Sequence, residues 1–212
     1  MNKNQISAFF ETLRAINPNP KTELNYTNEY TLLVAVVLSA QMTDKGVNKA
    51  TEKLFALADS PQKMISLGEA VVLENLKTIN LYKTKTKNVL ALSQILVEKY
   101  GGTLPNTREE LESLPGVGRK TANVVLNVAF GLPTMAVDTH IFRVSNRTGL
   151  AKGKTPLEVE EKLLKRVPQE FLEGAHHWLI LHGRYVCKAQ NPNCKACPVK
   201  DYCDYFKKQP SS

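Results

Sequence analysis

Leu114-Pro115-Gly116-Val117-Gly118-Arg119-Lys120-Thr121-Ala122 lies between a short segment of helical character and an apolar one, Ala122 to Phe130. Two glycines one residue apart permit a tight turn, and they leave the backbone open to a close ligand because no Cβ stands in the way. The N–H groups at the start of the following helix have no acceptor within that helix. Together with the helix dipole they form a site for an anion such as phosphate. An isolated Gly-x-Gly marks no more than a corner between helices. The complete string, in a basic chain, favours a grip on phosphate through Gly116, Val117, Gly118 and Arg119.

Helical periodicity extends outward on both sides of the turn. Ile6, Phe9, Phe10, Leu13 and Ile16 recur at helical spacing, and Asn17-Pro18-Asn19-Pro20 closes that segment. Thr31 to Gln41 is apolar on nearly every side and reads as a buried helix. Its valines would suit a strand, but the helical patterns on either side argue against a lone one. Val89, Leu92, Ile95 and Leu96 form a stripe ending at Tyr100-Gly101-Gly102. Thr107 with Glu110 is a capping pair that opens a short helix ending at Leu114-Pro115. Thr155 with Glu158 opens another, with Pro156 at its first position. Alternating strand patterns are nearly absent, so the expected class is all-α. The breaks at Asn17–Pro20 and Gly131-Leu132-Pro133 suggest two helical domains. Residues 22–133 would form the central one, and 1–21 would combine with 134–212 in the second.

Lys and Arg outnumber Asp and Glu by 28 to 20 in 212 residues, a formal charge of +8. That balance favours a polyanionic partner, nucleic acid being the commonest. No apolar run approaches the roughly 20 residues of a membrane span. Met1 to Phe10 lacks the layout of a secretion signal, so the expectation is a soluble cytoplasmic protein, associated with the nucleoid in a bacterium. All four cysteines fall within Cys187-x6-Cys194-x2-Cys197-x5-Cys203. So tight a cluster in a reducing compartment reads as a metal site, and its spacing alone leaves zinc and an iron–sulfur cluster equally open. His176, His177 and His182 lack a metal-ligand pattern and read as packing groups.

Two side chains carry candidate chemistry. Lys120 is placed at a helix start beside bound phosphate, where the positive end of the dipole tends to lower an amine's pKa. A neutral amine can attack a sugar C1′, although a lysine in this position can equally serve as a simple phosphate contact. Asp138, in Ala136-Val137-Asp138-Thr139-His140, is placed as the N-cap of the next helix. A capping carboxylate stays ionised, so it could also steady positive charge at C1′.

The glycine string resembles a helix-hairpin-helix motif, which grips DNA phosphates without reading sequence. The spacing of Lys120 and Asp138, within the Leu-Pro-Gly-Val-Gly and Val-Asp-Thr-His strings, resembles the endonuclease III family from Asn17 to Cys203. That resemblance implies two helical domains with a DNA-binding cleft between them. It implies a monomeric base-excision repair enzyme acting on double-stranded DNA with damaged bases or abasic sites. The activity would be removal of oxidised pyrimidines followed by lyase cleavage, with Lys120 as nucleophile and Asp138 as its partner. The cysteine spacing resembles that family's [4Fe-4S] loop, which makes Cys187, Cys194, Cys197 and Cys203 the ligands. The related adenine glycosylases lack this lysine and carry a further C-terminal domain, so that branch is disfavoured.

Leu38-Ser39-Ala40-Gln41-Met42-Thr43-Asp44 resembles the family segment whose glutamine fills the gap left by a flipped nucleotide, here Gln41. Ile79-Asn80-Leu81-Tyr82 resembles the loop whose wedge would be Leu81. Pattern alone also permits Gln41 as an ordinary helix end and Leu81 as core. Asn80 stands where the family usually has glycine, and asparagine also tolerates a left-handed turn. The cysteine loop carries Lys188 and Lys195, but Gln190, Asn191 and Asn193 make it less basic than is usual in the family.

Overall fold

The computed structural model describes residues 1–208, and every regular element among them is helical. The chain forms two compact units, Met1–Thr22 with Leu132–Ser212, and Glu23–Gly131.

The Glu23–Gly131 unit is built around α2 (Glu29–Leu38). Every residue of that helix from Tyr30 to Leu38 is buried, which explains a sequence apolar on all sides. Burying each Leu or Val side chain favours the fold by about 1.5–3 kcal/mol. Asn28 caps the helix, its side chain accepting from the Thr31 backbone N–H while Thr31 returns a bond to the Asn28 backbone. Around α2 stand α3 (Asp44–Leu57), α4 (Pro61–Leu76, kinked at Gly68), α5 (Tyr82–Tyr100), α6 (Arg108–Glu112) and α7 (Arg119–Phe130). Tyr30 and Ser93 join α2 to α5 through a buried hydroxyl pair 2.6 Å apart, and burial pushes the Tyr30 phenol well above its usual range.

The second unit packs α1 (Lys3–Ile16), α8 (Thr139–Thr148), α9 (Pro156–Arg166) and α10 (Gln169–Tyr185) around Phe9, Phe10, Phe171 and Trp178. Trp178 Nε1 donates to the Asn17 carbonyl 2.8 Å away, tying the end of α1 to α10. A 3-10 turn at Lys200–Tyr202 and α11 (Asp204–Lys207) follow the cysteine loop.

Several sequence expectations shift at element ends. The buried helix was expected to run to Gln41 but stops at Leu38, so Gln41 lies outside it. α6 is a single short turn capped by Thr107, and it ends at Glu112 rather than at Leu114-Pro115. Helix α7 begins at Arg119, three residues before Ala122, and Lys120 stands in its first turn, where it was expected. Ile16 has the spacing of the α1 stripe yet is 64% exposed. No described helix is long and apolar enough to cross a membrane.

Candidate nucleic-acid interface and cysteine cradle

The hairpin between α6 and α7 is closed by a bond from Val117 N–H to the Leu114 carbonyl, 3.1 Å. Its two glycines do different work. Gly116 has φ +79°, and a Cβ there would lie 2.9 Å from Asn88 Nδ2, so the turn itself requires glycine. Gly118 is extended, and a Cβ on it would meet nothing within 4 Å. A side chain there would project into open space. α7 starts without a side-chain cap, unlike α6 and α8, and the exposed Arg119 and Lys120 occupy its first two positions. An uncapped helix start under two cations is suited to a phosphate.

This contrast gives a direct test. Gly116→Ala is expected to lower stability by about 1–2 kcal/mol through its left-handed φ. Gly118→Ala should leave stability within about 0.5 kcal/mol yet weaken duplex binding on the order of tenfold. Thermal unfolding and fluorescence anisotropy separate the two variants, and equal effects in both assays would refute the division of labour.

Gln41 and Leu81 sit in two turns of this same unit. Both adopt the left-handed conformation, φ 56° and 58°, and Asn191 is the remaining non-glycine residue with positive φ among those described. Such a conformation costs a side-chain-bearing residue roughly 1–2 kcal/mol, and residues held in it cluster at functional sites. Leu81 is 62% exposed, which removes the core reading. Asn80 is not in a left-handed conformation, contrary to expectation; that role falls to Leu81. The Asn80 side chain instead donates to the Gln41 carbonyl, 3.0 Å.

Asp138 belongs to the other unit. It is the N-cap of α8, its Oδ1 accepting from the Ile141 N–H at 2.8 Å, as the sequence implied.

Cys187, Cys194, Cys197 and Cys203 line one small cavity, and no disulfide joins them. Two arginines that the sequence reading passed over hold the loop to α8. Arg143 donates through Nε to the Cys187 carbonyl at 3.0 Å and through Nη2 to the Gly183 carbonyl at 2.8 Å. Arg147 donates to the carbonyls of Lys188 (2.6 Å) and Ala189 (2.9 Å), and it lies 3.8 Å from Cys187 Sγ. Their i,i+4 spacing on a helix was the available signal. His182, assigned no role from sequence, lines the same cavity, with Nε2 3.7 Å from Cys197 Sγ. Burial pushes its pKa down to about 4, so the ring is neutral near pH 7. His177 is buried to similar effect and packs edge-on against His176.

Zinc and an iron–sulfur cluster make different demands on four thiolates. Zn–S bonds of about 2.3 Å require tetrahedral sulfurs within about 3.8 Å of one another. Among the described residues, no three His, Cys, Asp or Glu side chains are grouped to hold a single ion. Four thiols lining one cavity form a donor set that a multi-iron cluster can use.

The comparisons agree with this chemistry. Residues 34–169 match the family model of the HhH-GPD superfamily base excision DNA repair proteins. The chain is 57% identical over 201 residues to endonuclease III of Rickettsia conorii, covering 95% of this chain and 96% of the relative. It is 55% identical over 208 residues to that of Escherichia coli K12, covering 98% and 99%. The chain belongs to the endonuclease III family. It is therefore a DNA repair glycosylase of the helix-hairpin-helix class. A trapped endonuclease III–DNA covalent intermediate superimposes on it with a TM-score of 0.90 at 44% identity, over 98% of each chain. A thermostable thymine-DNA glycosylase shares the fold, with a TM-score of 0.85 at 22% identity. Residues 187–203 match the iron–sulfur binding domain of endonuclease III, so the chain carries a [4Fe-4S] cluster, and the four cysteines lining the cavity are the residues that would hold it.

When bound, the cluster supplies a covalent staple for a loop whose buried side chains are few, Val199 and Cys203. Burial pushes the Cys197 thiol up to about 11, neighbouring thiols adding to the effect, and burial raises Cys203 as well. Cluster binding needs thiolates and so displaces protons from these thiols. Below about pH 11 the cluster-free protein holds more protons, and stability of the holoprotein rises with pH. Acidification is expected to release iron, followed as loss of visible absorbance. Retention that does not depend on pH would contradict the proton displacement.

Proposed function

We propose that this glycosylase is bifunctional: it removes oxidised pyrimidines and then cleaves the strand on the 3′ side through an imine formed on Lys120. The observation that carries the reading is an exposed primary amine in the first turn of the uncapped hairpin helix. Backbone donors there would hold the phosphate beside the lesion while Nζ attacks C1′. The C1′–N bond to the base breaks, the base leaves with the electron pair, and a proton lost from nitrogen accompanies sugar-ring opening to the imine. Loss of a C2′ proton then expels the 3′ phosphate, breaking the C3′–O bond. The Asp138 carboxylate serves as charge stabiliser and proton acceptor. Gln41 fills the gap left by the flipped nucleotide and Leu81 wedges the opposite strand.

In the same reading, residues 22–133 and the paired segments 1–21 and 134–212 are the two working domains. The partner is double-stranded DNA carrying a damaged base or abasic site, engaged by a monomer in the cytoplasm or at the nucleoid. That the solved relative is a trapped endonuclease III–DNA covalent intermediate supports a covalent route.

The test is borohydride trapping on a duplex containing one thymine glycol. A covalent protein–DNA band is expected. Base release without a band would make the enzyme monofunctional, with water as nucleophile. Binding with neither band nor release would leave a DNA-binding module.

A further inference from the structure

The turns that carry Gln41 and Leu81 are far apart in sequence but share two polar side chains. Lys85, buried on α5, donates from Nζ to the Leu38 carbonyl at 2.9 Å and the Ala40 carbonyl at 2.6 Å. Asn80 Nδ2 donates to the next carbonyl, that of Gln41, at 3.0 Å. The carbonyls on both sides of the left-handed Gln41 Cα are therefore fixed from the other turn. In return, the Leu81 carbonyl accepts from the Lys85 backbone N–H at 3.0 Å, anchoring the second left-handed residue to the same lysine.

Lysine caps a helix end here with an ammonium that satisfies carbonyls left over by the helix. The Asn80 amide supplies a side-chain donor that a glycine at this position would lack. A backbone kept in a left-handed turn before DNA arrives does not have to be ordered on binding, which lowers the cost of inserting the side chain it carries.

We propose that Asn80 is a positioning residue that, with Lys85, braces the Gln41 and Leu81 turns into one pre-set unit for lesion engagement. This rests on the reading that Gln41 and Leu81 enter the duplex. The brace acts on recognition and leaves chemistry at C1′ untouched.

The experiment compares binding to a duplex with one tetrahydrofuran abasic analogue against the same duplex undamaged. Asn80→Ala removes the donor, and Asn80→Asp keeps the shape while replacing the donor with an acceptor. Each is expected to reduce the damaged-to-undamaged affinity ratio about three- to tenfold, the worth of one hydrogen bond. KM on a thymine glycol duplex should rise by a similar factor with kcat unchanged, and the unfolding temperature should stay at the wild-type value. In a Gln41→Ala background Asn80→Ala should have a smaller effect than in the wild type, since only the Leu81 side chain is then left to be positioned.

A wild-type ratio in both Asn80 variants, with Gln41→Ala and Leu81→Ala lowering it, would overturn the brace and leave the reading of the two turns standing. A wild-type ratio in Gln41→Ala and Leu81→Ala would overturn that reading and the brace with it.

Discussion

Lys120→Gln is expected to give no borohydride-trapped complex and to lose strand cleavage by about four orders of magnitude or more, on the order of 5 kcal/mol of barrier. The side chain is exposed at the start of α7, so the fold should survive unchanged. Duplex affinity should fall by no more than about tenfold, the effect of one cation near phosphate, with the salt slope reduced by about 0.9. Lys120→Arg sharpens the test. A guanidinium keeps the charge but cannot deprotonate to become a nucleophile, so binding should return to the wild-type level while trapping stays absent. Cleavage by either variant at the wild-type rate would remove Lys120 from the chemistry and reduce it to a phosphate contact.

What could be read from the sequence depended on how far apart the interacting residues lie along the chain. Caps and periodicities act over three or four positions, and the N-caps Thr107, Asp138 and Thr155 stand where the pattern placed them. The pattern missed the asparagine caps at Asn2 and Asn28, where the chain makes reciprocal capping bonds. Neither follows the Ser/Thr-x-x-Glu signature in full. Contacts that fix the site are long-range. Lys85 reaches carbonyls more than forty residues away, and Arg147 reaches the backbone of the cysteine loop at a similar distance. Nothing in local composition distinguishes Lys85 from any other helical cation, and Arg147 is marked only by its i,i+4 spacing from Arg143. Leu81 shows the opposite problem, because its apolar side chain alone suggested burial and only the left-handed turn explains its exposure.

Asp138 joins a structural role to a chemical one, and two substitutions separate them. Asparagine caps a helix about as well as aspartate, whereas alanine costs about 0.5–2 kcal/mol at that position. In this chain the bond at stake is Asp138 Oδ1 to the Ile141 N–H, and asparagine's side-chain oxygen can take the same place. The lost negative charge at the helix start costs Asp138→Asn a further 0.3–1 kcal/mol or so. Asp138→Asn should therefore unfold near the wild-type temperature, and Asp138→Ala should unfold lower. Turnover should behave differently. An amide neither accepts a proton nor balances positive charge at C1′, so both variants should lose roughly 10²- to 10⁴-fold in kcat. Melting curves that diverge while turnover falls equally in the two would establish the carboxylate as part of the chemistry. If Asp138→Asn turned over at the wild-type rate, capping alone would account for the residue, and the proton acceptor would have to be sought in another side chain.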